Sequence, residues 1–394
     1  MVRRRWSRFA SSGCGLVWGE ATAVDPAGRA NPNQLVASEQ TVEGLAALRS
    51  LLHPGQVAGL QLTHSGRWCR PTEAGPAPRT GHTNPVLDRR QGIGPEVVLT
   101  DAELEELAER YVAAAVLAGE AGFDFVDVKH CHGYLLHELL SGVDRPGPFG
   151  GDLDGRTRFL RTVVEGIRDR APDLAIAVRL SAFDLRPYTA GPDGTGVPDG
   201  AGPYPHAFGG DGTGLGIDLT EAHRFFDLLQ QLGIGLVSVT AGSPYYNPHV
   251  QRPAFFPPSD GYQPPEDPLV GVARQLAATA ELAAAHPSVA VVGSGYSYLQ
   301  DWLAHVGQAV VEGGGAAMVG LGRMVLSYPH LPADVLAGRP LERALVCRTF
   351  SDCTTAPRNG LISGCFPIDP FYKDHPQRVQ LTQAKKQAKA RLTP

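Results

Sequence analysis

Short apolar runs that alternate with longer amphipathic runs are the feature that most constrains the fold of this 394-residue chain. Seven runs have the length and character of buried strands, and helical patterns separate most of them. They lie at 15–21, 57–62, 125–129, 175–180, 235–240, 289–292 and 316–321. Strands that alternate with helices pair in parallel through right-handed crossovers. The alternation therefore predicts an α/β fold built on a parallel sheet.

Polar or glycine-rich residues follow most of the predicted strands, as at 61–64, 129–132, 293–295 and 320–323. A doubly wound sheet gathers its chemistry at one switch point, whereas a (β/α)8 TIM barrel gathers it at the C-terminal ends of many strands. We therefore expect a TIM barrel. A closed barrel needs eight strands, so the seven predicted here leave one unaccounted for.

Local signals support this assignment. Thr100 and Glu103 form a capping box before an amphipathic run, and Thr220 is expected to cap another helix. Gly (47) and Pro (33) make up about a fifth of the chain, and many lie in the long stretches 186–216 and 243–265. A linker has such a composition too, but a linker does not interrupt a strand–helix repeat. We expect both stretches to be active-site lids.

Charge and hydropathy exclude several classes of protein. The net charge is −5, which disfavours a general nucleic-acid binder. No apolar run reaches 18 residues, so no membrane span is expected. The basic start and the small residues at 21–23 resemble parts of an export signal, but 10–19 is too polar for one, and a cytoplasmic protein is the expectation. Six cysteines do not make a disulfide scaffold, although Cys347, Cys353 and Cys365 resemble a degenerate metal site.

Strand alternation sorts inward from outward side chains. If the aliphatic faces pack on the helices, then Gln61, Asp127, Lys129 and Arg179 point into the barrel. Small residues beside them leave room for a bulky planar ligand. The plainer alternative is a Lys129–Asp127 ion pair that only stabilises the barrel top.

Glycine-rich turns end the last two predicted strands. Gly293, Ser294 and Gly295 form one, and Gly322 with Arg323 ends the other. Barrels bind phosphate at this position through backbone N–H groups, and an arginine adds a bidentate donor. Ordinary turns are the alternative.

His130 and His132 allow a metal hydrolase as a further alternative, because such barrels ligate zinc with a His-x-His pair. No later strand supplies a convincing further pair of ligands. His132 together with Tyr134 favours a catalytic site over two solvated histidines.

In this order, the motifs resemble the Old Yellow Enzyme and NADH:flavin oxidoreductase family of FMN-dependent (β/α)8 barrels. The resemblance runs from about residue 8 to residue 340. It rests on the segments 15–24, 61–67 (Gln-Leu-Thr-His-Ser-Gly-Arg), 123–141 and 149–160. The combined order is specific, whereas no single segment would be.

The resemblance implies the roles of the cofactor residues. Ala21 and Gln61 would contact the flavin ring, and Arg179 would lie beside its N1/O2 edge, where a cation favours the anionic reduced flavin. The FMN phosphate would be held by Gly293, Ser294, Gly295, Gly322 and Arg323. NADH or NADPH would be the co-substrate.

The resemblance also implies the catalytic residues. His132 and Lys129 would stabilise a developing enolate by hydrogen bonds to the substrate carbonyl, and Tyr134 would protonate the α-carbon. Many members have His where this chain has Lys129, so we expect an acidic or strongly polarised substrate, such as a carboxylate or thioester. Larger relatives bind a 4Fe–4S cluster through four cysteines. Because Phe350 stands near one of those positions, we expect no cluster here.

The resemblance further implies two regions and one activity. Residues 1–340 would form an FMN-binding barrel that lacks the family's first strand, and 341–394 a C-terminal extension with the degenerate cysteine motif. The expected reaction is hydride transfer from NAD(P)H to an activated C=C bond of a small molecule, with homo-oligomerisation possible. An amine-demethylating FMN dehydrogenase is the alternative within the family. A phosphate-binding lyase, the metal hydrolase and an inactive barrel are the alternatives outside it.

Overall fold

A computed structural model describes residues 1–259 and 261–392 of the chain. Seven strands form one parallel sheet in the order β1-β2-β3-β4-β7-β8-β9. They are β1 (Leu16–Ala23), β2 (Val57–Thr63), β3 (Phe125–Val128), β4 (Ala175–Ser181), β7 (Leu236–Thr240), β8 (Ala290–Gly293) and β9 (Met318–Val319). The remaining strands, β5 (Tyr188–Ala190) and β6 (Gly196–Pro198), pair as an antiparallel hairpin.

Helices connect consecutive strands of the sheet. The α-helices span Val2–Ala10, Val42–Arg49, Pro85–Gln91, Asp101–Glu120, Leu135–Leu140, Leu153–Arg156, Arg158–Arg170, Thr220–Gln231, Pro248–Gln251, Pro268–Ala285, Leu303–Glu312, Met324–Ser327, Leu331–Leu336, Asp352–Arg358, Pro370–Lys373 and Gln377–Leu392. Among them, no helix of the described residues is both long and apolar enough to cross a bilayer.

The aliphatic faces of the strands pack on the surrounding helices. Leu60, Val126 and Val178 are fully buried in one cluster with Leu104 and Val163 from two of these helices. Burial of such side chains stabilises the fold by about 1.5–3 kcal/mol each. The packing leaves the opposite face of each strand for the interior of the curled sheet.

The predicted fold class is confirmed. All seven predicted strands are present, each begins and ends within about two residues of its predicted limits, and each pairs in parallel. The sheet order is that of a (β/α)8-type barrel with seven strands. Within the described residues, no strand pairs β9 with β1.

One local prediction needs correction, and two loops contain elements that were not predicted. Thr220 lies in the first turn of its helix, and the Asp218 carboxylate accepts a hydrogen bond from its N–H at 2.9 Å. The stretch 186–216 contains the β5–β6 hairpin, and 243–265 contains the short helix Pro248–Gln251. Both elements are too short and too rich in Gly and Pro for periodicity to reveal them.

Ion pairs connect the first helix with the segment after residue 341. Asp369 is buried, and it accepts hydrogen bonds from Arg4 Nη1 at 3.0 Å and from Arg8 Nη1. On the same helix, the ring of Trp6 contacts Phe123 edge-on at 5.9 Å. These contacts hold the first helix both to the barrel and to the C-terminal segment.

Candidate active site

A row of inward residues crosses the first four strands. Ala21 pairs with Gln61, Gln61 with Asp127, and Asp127 with Ala177 in the ladder. Because paired residues of parallel strands share a face, their side chains line the interior together. Small side chains at both ends of the row leave space beside Gln61 and Asp127.

Asp127 is the hydrogen-bonding centre of this row. Its carboxylate accepts from Trp18 Nε1 at 2.7 Å, from Gln61 Nε2, and from the backbone N–H of Arg179 at 2.7 Å. Burial raises the pKa of this carboxyl, and the three donors oppose that shift. These hydrogen bonds hold the side-chain amide of Gln61 and the backbone of Arg179 in place.

Arg179 and Lys129 bring positive charge to the same end of the sheet. Arg179 Nε is buried without a hydrogen-bond partner among the described residues. The Lys129 ammonium lies 3.8 Å from the centre of the Tyr134 ring, a cation–π contact. In the described part of the chain no ion pair joins Lys129 to Asp127, so the plainer alternative for Lys129 loses its support.

Burial tunes the Lys129 ammonium. Only 4% of the residue is exposed, and burial lowers its pKa to about 8, with a further lowering by Arg179. Lys129 is therefore a cation near neutrality that loses its proton more readily than an ordinary lysine.

His132 is held in a left-handed backbone conformation, with φ near 70°, in the turn that follows β3. Its backbone N–H donates to Ser181 Oγ at 3.1 Å, and the Gln251 amide nitrogen donates to His132 Nε2 at 3.1 Å. Burial, Arg179 and Lys129 lower the pKa of His132 well below 6.5. The ring is therefore neutral at pH 7 and carries one N–H group.

Tyr134 completes a group of three polar side chains from one turn. Its hydroxyl lies 3.1 Å from the hydroxyl of Tyr245, a residue of the loop after β7. Burial raises the pKa of Tyr134 well above 10, so the phenol keeps its proton at neutral pH. Lys129, His132 and Tyr134 together offer two hydrogen-bond donors and one proton donor.

Two contacts of this site were missed in the sequence. Trp68 stacks on Tyr245 at 4.2 Å and donates from Nε1 to the Gly133 carbonyl at 2.9 Å, and Gln251 contacts His132. Aromatic residues in the 243–265 loop are a signal for the first contact. No local pattern marks Gln251, because its partner lies 119 residues away.

The predicted phosphate turns meet at the ends of β8 and β9. A Cβ on Gly320 would approach the Gly293 carbonyl to 2.7 Å, so only glycine fits between these strands. Gly295 has a φ near 100°, which also favours glycine. At Gly322 a side chain would meet open space. The turn that contains Ser294 is thus closely packed where β8 and β9 meet, and it has open space on the side of Gly322.

Two arginines with unused donors lie beside these turns. Arg323 Nη2 donates to the Pro253 carbonyl at 2.9 Å, whereas Arg323 Nη1 and Arg252 Nε are buried without partners among the described residues. Burial and the charge of Arg252 lower the pKa of Arg323 to about 10. Two neighbouring guanidinium groups with unpaired buried donors suit a dianionic group such as a phosphate monoester.

The metal alternative gains no support from His130. That residue is buried, its Nδ1 lies 2.7 Å from the Val128 carbonyl, and its ring packs on Phe225. The one group of His and acidic residues in the described ranges that is compact enough for a metal is His330, Asp334 and Glu342, far along the chain.

The three clustered cysteines line one cavity. Cys347, Cys353 and Cys365 surround it together with Phe350, whose ring stacks on Phe256 with centres 5.2 Å apart. Burial raises the pKa of the Cys365 thiol to about 12 and also raises that of Cys347. The cavity adjoins Arg323 and therefore the phosphate turns.

Comparisons with known proteins show which sequences and structures this chain is similar to. The sequence model of the NADH:flavin oxidoreductase / NADH oxidase family matches residues 5–195. An NADPH dehydrogenase of Clostridium acetobutylicum is 35% identical over 179 residues, which are 44% of this chain and 51% of that protein. This chain thus spans about half the length of that relative.

Solved structures share the fold. A 2-naphthoyl-CoA reductase in complex with 2-naphthoyl-CoA aligns with a TM-score of 0.71 and 20% identity, over 94% of this chain and 52% of that one. The Old Yellow Enzyme homologue of Zymomonas mobilis aligns with a TM-score of 0.59 and 22% identity, over 86% of this chain and 84% of that one.

Proposed function

Because residues 5–195 of this chain match the sequence model of the NADH:flavin oxidoreductase / NADH oxidase family, we propose that it is an FMN-dependent NAD(P)H oxidoreductase acting on activated C=C bonds. The observation that carries the proposal is the group formed by Lys129, His132 and Tyr134 beside the Gln61–Asp127 row. Two side chains that can donate hydrogen bonds to a carbonyl oxygen and one that can protonate a carbon atom lie within one turn.

The described residues fit FMN. Arg323 Nη1 and Arg252 Nε supply unpaired donors for the phosphate, and Arg179 Nε supplies one for the ring. Ala21 and Gln61 would contact the ring system, with Gly293, Ser294, Gly295 and Gly322 around the phosphate. When bound, FMN supplies hydride transfer between NAD(P)H and the substrate.

His132 and Lys129 would bind the carbonyl oxygen of the substrate. The ring N–H of neutral His132 and the ammonium of Lys129 both donate, and both are more effective in a buried site than in water. Negative charge that develops on this oxygen, when the β-carbon is reduced, is stabilised by the two donors. Tyr134 then gives its phenolic proton to the α-carbon.

Positive charge at the site favours this reaction over amine demethylation. An amine substrate enters as a cation, and Lys129 and Arg179 would repel it at close range. A carboxylate, thioester or enone is neutral or anionic and gains from the same charges. We therefore place the enoate, enone or enoyl thioester ahead of an amine.

We also propose the division into an FMN barrel (1–340) and an extension (341–394) without a 4Fe–4S cluster. By the resemblance to the larger relatives, Phe350 stands near the position of a further cysteine ligand, and its ring packs on Phe256. Four thiolates are the usual requirement of such clusters. Iron and sulfide analysis of anaerobically purified protein tests this, and four of each per chain would contradict it.

An FMN titration followed by anaerobic NADH or NADPH tests the proposed function. We expect yellow protein whose flavin bands bleach with either nucleotide and return with cyclohex-2-enone. Arg323→Leu should raise the Kd for FMN at least tenfold, because it removes a charge-assisted phosphate contact. Arg343→Ala, which removes an exposed arginine, is the matched control. Protein that binds no FMN would contradict the proposal.

The pH dependence of enone reduction tests Lys129. Since its pKa is lowered to about 8, the ammonium is present below pH 8 and is lost as the pH rises through that value. We expect kcat/KM to fall above pH 8 and this limb to vanish in Lys129→Met. Unchanged turnover in Lys129→Met would remove Lys129 from the mechanism.

A further inference from the structure

We propose that Tyr245 is a positioning residue that returns a proton to Tyr134 after each turnover. The inference rests on the proposed function, in which Tyr134 is the proton donor. A buried donor that has lost its proton needs a route by which another proton arrives. Tyr245 is the polar neighbour of the Tyr134 hydroxyl, at 3.1 Å.

Aromatic packing fixes the Tyr245 ring. Trp68 lies parallel to it, with ring centres 4.2 Å apart and planes 6° apart. Trp68 is itself anchored by its hydrogen bond to Gly133, the residue before Tyr134. Ring and hydroxyl are therefore held relative to the turn that carries Tyr134.

Hydrogen bonds fasten the loop of Tyr245 to the same turn. Ser243 Oγ donates to the His132 carbonyl at 2.8 Å and accepts from the Tyr245 N–H at 3.2 Å. A Cβ on Gly133 would lie 2.9 Å from Ser243 Oγ and 2.8 Å from the Tyr246 ring. The glycine thus permits an approach that keeps the two phenols at hydrogen-bond distance.

The charged and titratable groups around the pair differ. The guanidinium of Arg358 lies 5.4 Å from the Tyr245 ring centre, and Cys69 also faces this ring. Tyr134 faces Lys129, Cys131 and Cys69. Burial raises the pKa of both phenols, but the hydrogen bond and Arg358 both lower that of Tyr245.

This difference in charged neighbours favours proton transfer from Tyr245 to Tyr134. The Tyr134 O–H bond breaks as a new C–H bond forms at the α-carbon, which leaves a phenolate on Tyr134. The Tyr245 O–H proton then passes to the Tyr134 oxygen, and the negative charge moves to Tyr245 beside Arg358. A water proton restores Tyr245, because Tyr245 is itself partly exposed to solvent. Hydride comes from NAD(P)H, so the steps balance.

Stopped-flow reoxidation of the NADPH-reduced holoenzyme by cyclohex-2-enone tests the relay. We expect Tyr245→Phe to slow reoxidation and kcat about tenfold, as for the loss of a hydrogen bond to a charged group. KM should change less than twofold, and flavin reduction by NADPH should keep its rate. The matched control is Tyr246→Phe, which loses a neighbouring buried hydroxyl that donates to Asp184 instead.

A second measurement does not depend on turnover. In protein labelled with 3-fluorotyrosine, fluorine NMR follows the ionisation of Tyr134. We expect Tyr245→Phe, but not Tyr246→Phe, to move that titration downward by about one pH unit, a tenfold change in the equilibrium, because the Tyr245 hydroxyl raises the pKa of Tyr134. If neither the titration nor the reoxidation rate distinguishes the two variants, the relay is wrong.

The two measurements separate the inference from the proposed function. If the wild-type enzyme reduces no alkene, the proposed function fails. The fluorine titration then still decides whether the two phenols share a proton. If both variants lose activity equally, Tyr245 acts only in loop packing, and the relay is overturned.

Discussion

Replacement of Tyr134 by Phe should slow enone reduction by about 10²- to 10³-fold while flavin reduction by NADPH proceeds at the wild-type rate. General acids contribute effects of this size, because without a positioned donor the carbanion must wait for solvent. The site is buried, so water reaches the α-carbon poorly. Single-turnover reoxidation of the reduced enzyme, followed by flavin absorbance, measures the step directly.

Tyr188→Phe is the control for this substitution. Tyr188 lies in the β5–β6 hairpin and packs on His249 and Tyr262, away from the turn after β3. It loses the same hydroxyl, so its reoxidation rate should stay within twofold of the wild type. Equal rates in Tyr134→Phe and wild type would assign the proton to another group.

Replacement of Arg67 by Met should lower the free energy of unfolding by about 3–5 kcal/mol, the usual cost of removing one partner of a buried ion pair. Only 1% of Arg67 is exposed, and it donates to Glu138 from Nε at 2.8 Å and also pairs with Asp88. Met fills most of the volume, so the loss comes mainly from the stranded charge of Glu138. Urea unfolding at pH 7 measures it.

The pH dependence of the free energy of unfolding separates the effect of charge from the effect of packing in Arg67→Met. Burial raises the pKa of Glu138, and Arg67 opposes that shift. Without Arg67 the folded-state pKa of Glu138 rises further above its unfolded value, so stability is lost as the pH rises from the unfolded pKa to the folded one. We expect the variant to recover part of its stability at pH 5, and Arg67→Met with Glu138→Gln to recover part of it at pH 7.

Arg161→Ala is the control, because it measures how much an exposed ion pair contributes to the free energy of unfolding. Its partner Asp154 is 81% exposed, and such pairs contribute about 0–1 kcal/mol. If Arg67→Met and Arg161→Ala destabilised the protein equally, the argument from burial would fail.

The sequence predicted those parts of the site that lie within one element. Lys129, His132 and Tyr134 follow one strand, so a correct strand assignment brings them together. The inward direction of Gln61 and Asp127 followed from strict alternation. Likewise, the capping box at Thr100 was predicted because all its atoms lie within four residues, and the structure confirms it.

Trp18 shows why the rest was not predicted. Trp18 pairs with Gly59, but Ala21 pairs with Gln61, so β1 has one more residue than β2 in this stretch. Strict alternation would place Trp18 on the opposite face of the sheet from Ala21. The irregularity puts the two residues on the same face, and the Trp18 ring N–H therefore reaches Asp127. The contacts of Tyr134 with Tyr245 and of His132 with Gln251 depend on how a long loop docks, over more than 100 residues of separation.

The ion pairs between Asp369 and the first helix set an order of events during synthesis. Trp6 meets Phe123 after about a third of the chain has been translated, whereas Arg8 waits for a carboxylate that lies 361 residues later. At translation rates of about 5–20 residues per second, this interval is roughly 20–70 s. The first helix therefore spends most of the translation time held by apolar packing and by its contacts with the nearby Glu20, and its buried ion pair with Asp369 is among the last native contacts to form.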